Sequence, residues 1–341
     1  MLWGLRAHFK KLAVYNSYVP IRIKRLSTLA ADLPLQNMPR RVIIRMAVLS
    51  LSLAASAAAQ SVVPDSTAAI SASKPGLFDR VVANQRRNED AGDVYERVER
   101  LETRKSPSDP AIISVKITRV VPSGTGMYHI ALGPNGQPTD AAAYRHDLEN
   151  LEKALALAVG DNRSQRDAME KFAKKKKDRN DLIDSTRTAF LFTFVSREPR
   201  ADRMLSKYTM EPNPAFKPTS RLSTVFSKVH GFVWIDEDSG ELARIEGEVT
   251  EDISVGLFLA KVYKGSHFMQ ERYEFVPGLW LASFSQYDFD GRKFFSSFSI
   301  HERTFYSNYR YIGPPKEALE AVRKELRGAG LGKSGSAPPS P

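Results

Sequence analysis

The 341-residue chain has no cysteine. That absence excludes a disulfide framework, a thiolate metal site, a cysteine nucleophile and a lipid anchor on an acylated cysteine. Histidine is scarce. His8, His129, His146, His230, His267 and His301 are the full set, and none is spaced for a helical metal site. No Gly-x-Ser-x-Gly elbow occurs. Residues 328–334 imitate a phosphate-binding loop, but Arg327 stands where that loop needs its first glycine. Carboxylates do not gather in an apolar context, and Asp236, Glu237 and Asp238 read as a turn. The chain also lacks any apolar run near the roughly 18 residues of a spanning helix. These absences predict a protein that is not an enzyme and needs neither cofactor nor metal.

Acidic residues are in deficit, 39 against 50 basic, for a net charge of +11. The excess sits at one end. Residues 1–59 hold nine of the basic residues and a single acid, Asp32, leaving 41 basic against 38 acidic in the remainder. A nearly balanced main body gives little ground for nucleic-acid binding, and none is expected. In residues 38–59 a basic stretch precedes an apolar run and then Ala57-Ala58-Ala59-Gln60. This is the order of a secretory signal peptide, predicting cleavage near Ala59 and a periplasmic or secreted protein. Residues 1–37 read either as an over-extended start upstream of Met38 or as a long amphipathic leader, in both cases without fold. Residues 60–75 read as a linker and 328–341 as a disordered tail. A single α+β domain is expected over 76–327.

Leu77, Val81 and Val82 suggest a short helix, and residues 94–103 a first strand. Residues 112–121 alternate Ile113, Val115 and Ile117 against Ser114, Lys116 and Thr118, the pattern of a half-buried strand. A hairpin follows through residues 123–126. Thr139 or Asp140 can cap a helix whose Tyr144, Leu148, Leu151, Leu155 and Val159 form one stripe. A polar continuation to Asp178 makes one long inserted helix over 139–178, with Lys174 to Lys177 read as its solvated end. From Phe190 onward the period is two. In residues 241–250, Ala243, Ile245, Gly247 and Val249 face one way and Leu242, Arg244, Glu246 and Glu248 the other, predicting an antiparallel sheet. Asp290-Gly291 is a strong hairpin signal. A turn there pairs Tyr287 with Phe294, Ser285 with Ser296, Ser283 with Phe298 and Leu281 with Ile300. Residues 316–326 form a short C-terminal helix. His267 and His301 lie on strands that can be neighbours, where a joint site is conceivable, but the pattern favours ordinary, partly exposed strand histidines.

Aromatic residues crowd residues 226–311. They read either as core on one sheet face with helix cover on the other, or as the wall of a concave apolar pocket. Ser283, Ser285, Ser296 and Ser297 leave room among the rings for such a pocket. Trp234, Phe258, Tyr273, Phe275, Trp280, Tyr287, Phe294 and Phe298 are the candidate lining.

Residues 231–236 (Gly-Phe-Val-Trp-Ile-Asp), 243–246 (Ala-Arg-Ile-Glu), 256–260 (Gly-Leu-Phe-Leu-Ala), Lys264-Gly265, the Trp280-Leu281 step and residues 306–310 resemble a group of exported bacterial proteins. The C-terminal halves of that group look like the lipoprotein-carrier superfamily of the LolA/LolB type. The resemblance covers residues 185–312. It implies an α+β fold with a strongly curved antiparallel sheet, an incomplete β-barrel closed by helices. It also implies an acyl chain held in the concavity without catalytic residues. Two readings follow. One is an exported binding protein that shelters a lipid or lipoprotein acyl chain. The other is an envelope structural or interaction protein whose half-barrel is filled by its own side chains, with peripheral contacts to the envelope.

Overall fold

A computed structural model describes residues 76–331, apart from 221–222, 256–259 and 295. The expected leader, signal peptide and linker, and the tail beyond Leu331, lie outside the described residues, as does Phe258. Helix α1, Leu77–Ala91, runs through a one-turn 3-10 segment into strand β1, Tyr95–Arg104. Then come β2, Ile112–Pro122, and β3, Met127–Leu132. Helices α2, Ala141–Val159, and α3, Arg163–Ala189, lead into β4, Phe190–Arg200, and β5, Arg203–Pro212. After a 3-10 turn at Ser223–Lys228 the strands are β6, Val229–Asp236, β7, Glu241–Val249, β8, Ile253–Val255, and β9, Ala260–Val262. The long strands β10, His267–Val276, β11, Leu279–Lys293, and β12, Ser296–Tyr311, precede α4, Pro315–Leu331.

All twelve strands join one curved, unclosed antiparallel sheet in the order β3-β2-β1-β12-β11-β10-β7-β6-β5-β4, with β8 and β9 hung on β11. The sheet is therefore built by its two ends. β1 and β12, far apart in sequence, pair as third and fourth in that order, from Tyr95↔Tyr311 to Thr103↔Glu302. The predicted α+β class and the antiparallel pattern hold.

Several local expectations do not. The inserted helix is two helices. Gly160 adopts an extended backbone at ψ 173°, and Asn162 restarts the chain by accepting a hydrogen bond from the Gln165 N–H. Lys174 to Lys177 consequently lie in the middle of α3 rather than at a helix end. Lys176 Nζ is 3.0 Å from Asp90 on α1. In β2, Ile117 is buried but Ile113 is 62% and Val115 46% exposed, because β3 flanks only Ile117 to Pro122. In β7 the predicted faces cross over. A bulge sets Trp234 opposite Arg244 and Ile235 opposite Leu242, so Leu242 joins Ile245 and Val249 in the large core. Ala243 goes to a different cluster.

The largest correction concerns Asp290-Gly291. Both residues are paired within β11, Asp290 with Ser299 and Gly291 with Phe298, and the turn comes later, at Phe294. Tyr287 faces Glu302, not Phe294, and Ser285 faces Thr304, not Ser296. Glycine is needed at 291 for another reason. β9 pairs there on the opposite edge, at Val262. A Cβ on residue 291 would lie 3.0 Å from Phe298 Cε1, and closer still to Phe298 Cζ and the Lys261 carbonyl oxygen.

Two cores result. α2 and α4 pack Leu148, Leu151, Leu155, Ala318, Leu319 and Val322 on Val121 and Ile130 of β2 and β3. The larger core is the one that positions the site.

Candidate functional site

The resemblance points to the helix-covered face of the sheet. There Val81 of α1, Leu182 and Ala189 of α3, and Val225 and Phe226 of the 3-10 turn meet the strands. The strand residues they meet include Phe190, Met210, Ile235, Leu242, Phe268 and Phe289. Phe190, Phe226, Phe289, Met210 and Ile235 are fully buried. This part of the face is filled by the chain itself, which is the core-plus-helix-cover arrangement weighed for the aromatics.

The candidate lining residues fall in several places. Tyr287 and Phe298 belong to the large core. Trp234 and Trp280 form a smaller cluster with Leu205 and Ala243. Cations surround it: Arg244 and Lys207 lie over the Trp234 ring at 4.7 and 4.8 Å, and Arg203 over Trp280 at 5.2 Å. Trp234 Nε1 donates to Glu198 at 2.7 Å. Tyr273 and Phe275 sit at a strand end, where the Phe275 ring meets Tyr95 at 5.9 Å and Tyr309 at 5.6 Å. Phe294 projects from the β11–β12 hairpin. Bulges explain part of this scatter. Glu271 faces Phe284 while Arg272 faces Ala282, so side-chain parity changes midway along the β10–β11 pair.

The sequence reading missed a buried polar strip under α1. Arg272 donates to Glu89 of α1 at 2.8 Å, with Gln270 and Ser285 alongside. Arg80 donates to the carbonyls of Glu237 and Asp238 at 2.7 and 3.1 Å. Asn84 donates to those of Ser239 and Gly240, both at 2.9 Å. Asn88 and Arg87 both reach Glu241, at 2.7 and 2.5 Å. Burial pushes the Glu241 carboxyl up to about 7, against the pull of Asn88 and Arg87. α1 is thus latched to the β6–β7 turn by polar bonds, with Val81 as its one residue wholly within the large core and Leu77 and Phe78 at the margin. A signal existed: Arg80, Asn84 and Asn88 recur every four residues, one polar stripe on a helix otherwise read by its apolar residues.

His267 and His301 are not on neighbouring strands. β11 separates them, and Asp288 faces both. His301 Nδ1 lies 3.2 Å from Asp288, which also accepts from Arg303 at 2.9 Å and Gln286 at 2.7 Å. His267 instead lies 3.3 Å from Glu246. That contact, with the Arg244 bond, lowers the Glu246 carboxyl to about 2. Among the described residues no His, Asp and Glu trio is arranged for a metal ion.

No protein-family model matches the chain, and no curated protein matches it. Among solved structures, one described as a "putative outer membrane lipoprotein-sorting protein domain" from Vibrio parahaemolyticus is similar over 71% of this chain and 97% of that one. The identity is 10% and the TM-score 0.29.

Proposed function

We propose that the chain is a non-enzymatic binding protein of the cell envelope. On this reading a half-barrel is filled by its own helices at rest and admits an apolar acyl chain when α1 lifts. One observation carries it: α1 covers part of the large core yet is held largely by polar bonds, to the β6–β7 turn, to Arg272 of β10, and to Arg179, Asp184 and Arg187 of α3. Such bonds contribute on the order of 1 kcal/mol each, and water replaces them when they break. The large core to which Val81 belongs, with Phe190, Phe226 and Ile235 among its members, is suited to alkyl chains rather than headgroups.

The absence of native cysteine makes the test direct. Asn84→Cys with Ser239→Cys places a disulfide across the α1 latch, with formation checked by mass. Fatty acids of increasing length are then titrated against the oxidised and reduced forms, following tryptophan fluorescence. Affinity that rises with chain length in the reduced form and is lost in the oxidised form supports the carrier reading. Equal responses in both forms, or none in either, leave the second reading, a self-filled interaction protein. That reading has its own support in the completeness of the large core.

A further inference from the structure

The β11–β12 hairpin ends in an unusual tip. Phe294 is 54% exposed at its apex and holds a left-handed backbone, φ 52°. A bulky residue adopts that conformation at a cost that glycine or asparagine would avoid. The two residues before it, Arg292 and Lys293, have no carboxylate partner among the described residues. This sets them apart from their surroundings. Lys261, directly opposite Arg292 on β9, is paired with Asp252 at 2.6 Å. Most arginines on the sheet are engaged likewise: Arg197, Arg200, Arg203, Arg244, Arg303 and Arg310 each meet a carboxylate. Past Phe295, which lies outside the described residues, the chain continues into exposed Ser296 and Ser297, and the preceding acid, Asp290, is bonded to Ser299.

The root of the tip is firmly held. β9 pairs with Gly291 to Lys293 on one edge, β12 pairs on the other, and Ser299 donates to Asp290 at 2.5 Å. Among the described residues, a firm root carries one exposed ring beside two unpaired cations, a point and not a broad patch. A protein partner needs a broad complementary area, about 1,000 Å² or more. A bilayer surface accepts a point: the ring enters the interfacial layer while the cations remain among the headgroups.

We propose that the tip formed by Arg292, Lys293 and Phe294 docks the protein onto an anionic lipid bilayer. This docking does not depend on whether an acyl chain enters beneath α1.

The test is flotation of the full chain with vesicles of phosphatidylcholine alone, and of phosphatidylcholine mixed with phosphatidylglycerol, at low and high salt. Wild type is expected to float with the anionic vesicles at low salt and much less with the neutral ones. Arg292→Ser with Lys293→Ser should lose about tenfold or more in partitioning, since each basic residue near such a surface contributes roughly fivefold. Phe294→Gly removes the ring and suits the backbone, so it should weaken binding without unfolding; unchanged circular dichroism checks this. Phe294→Trp should show emission quenched by brominated lipid. No flotation of the wild type overturns the proposal. So does flotation of both variants equal to wild type, which would assign any membrane contact to another surface. Capture of the tip by a soluble acidic protein with no vesicle binding would likewise replace the bilayer by a protein partner.

Discussion

Replacing Gly291 by alanine tests the strand register against the turn that Asp290-Gly291 suggests. In the structure a methyl at 291 meets backbone on one side and the Phe298 ring on the other, so neither neighbour can yield by a rotamer change alone. Overpacking of this kind costs about 1–3 kcal/mol. The three-residue strand β9 is the element most easily displaced, and it carries Val262, which is fully buried. Losing that burial would add about 1.5–3 kcal/mol. We expect a total loss of about 2.5–6 kcal/mol. In a protein of this size each kcal/mol moves Tm by roughly 2–4 °C, so the shift is about 5–24 °C downward. Phe294→Gly should move stability the other way, by up to about 1 kcal/mol, because it relieves a left-handed backbone at the true turn. Denaturant unfolding followed by circular dichroism measures both. If the turn were at 290–291, Phe294 would sit in a strand and its replacement by glycine would destabilise. A stable Gly291→Ala protein together with a destabilised Phe294→Gly protein would refute the register.

Arg119 bridges Glu96 on β1 and Glu325 on α4 at 2.8 and 2.9 Å; because Glu96 keeps Arg310 and Glu325 keeps the Tyr144 hydroxyl, Arg119→Met should cost about 1–3 kcal/mol, read from urea midpoints. Asp140 caps α2 by accepting from the Ala142 and Ala143 N–H groups, so Asp140→Ala should lower stability by about 1 kcal/mol, with Asp140→Asn nearly neutral. Glu241 holds its proton more tightly folded, near 7, than its usual value of 4.5. Its contribution is therefore full below pH 4.5 and lost as pH rises through 7. Glu241→Gln should accordingly gain about 1–3 kcal/mol relative to wild type at pH 8 and little at pH 4, and an equal gain at both would contradict the raised carboxyl.

The sequence by itself determined what is local. Alternation with period two marked the strands from Phe190 onward, Asp140 announced its helix, and the Ser123 and Asp238 turns were legible from glycine and polar residues. These follow from the pleat and from capping chemistry, which act within a few residues. Tertiary structure decided the rest. Parity read from the sequence runs unbroken, but each bulge adds one residue and exchanges faces. This is how Ala243 and Leu242 traded places and how the aromatic candidates scattered over separate clusters. A glycine demanded by a close strand looks the same in sequence as a glycine demanded by a turn, and only the arrival of β9 beside Gly291 told them apart. The pairing of β1 with β12 joins residues about two hundred positions apart, and no local pattern encodes it. Where the covering helices land, and hence that α1 rests on a polar latch above the core, was fixed by that long-range closure and not by the composition of the helix.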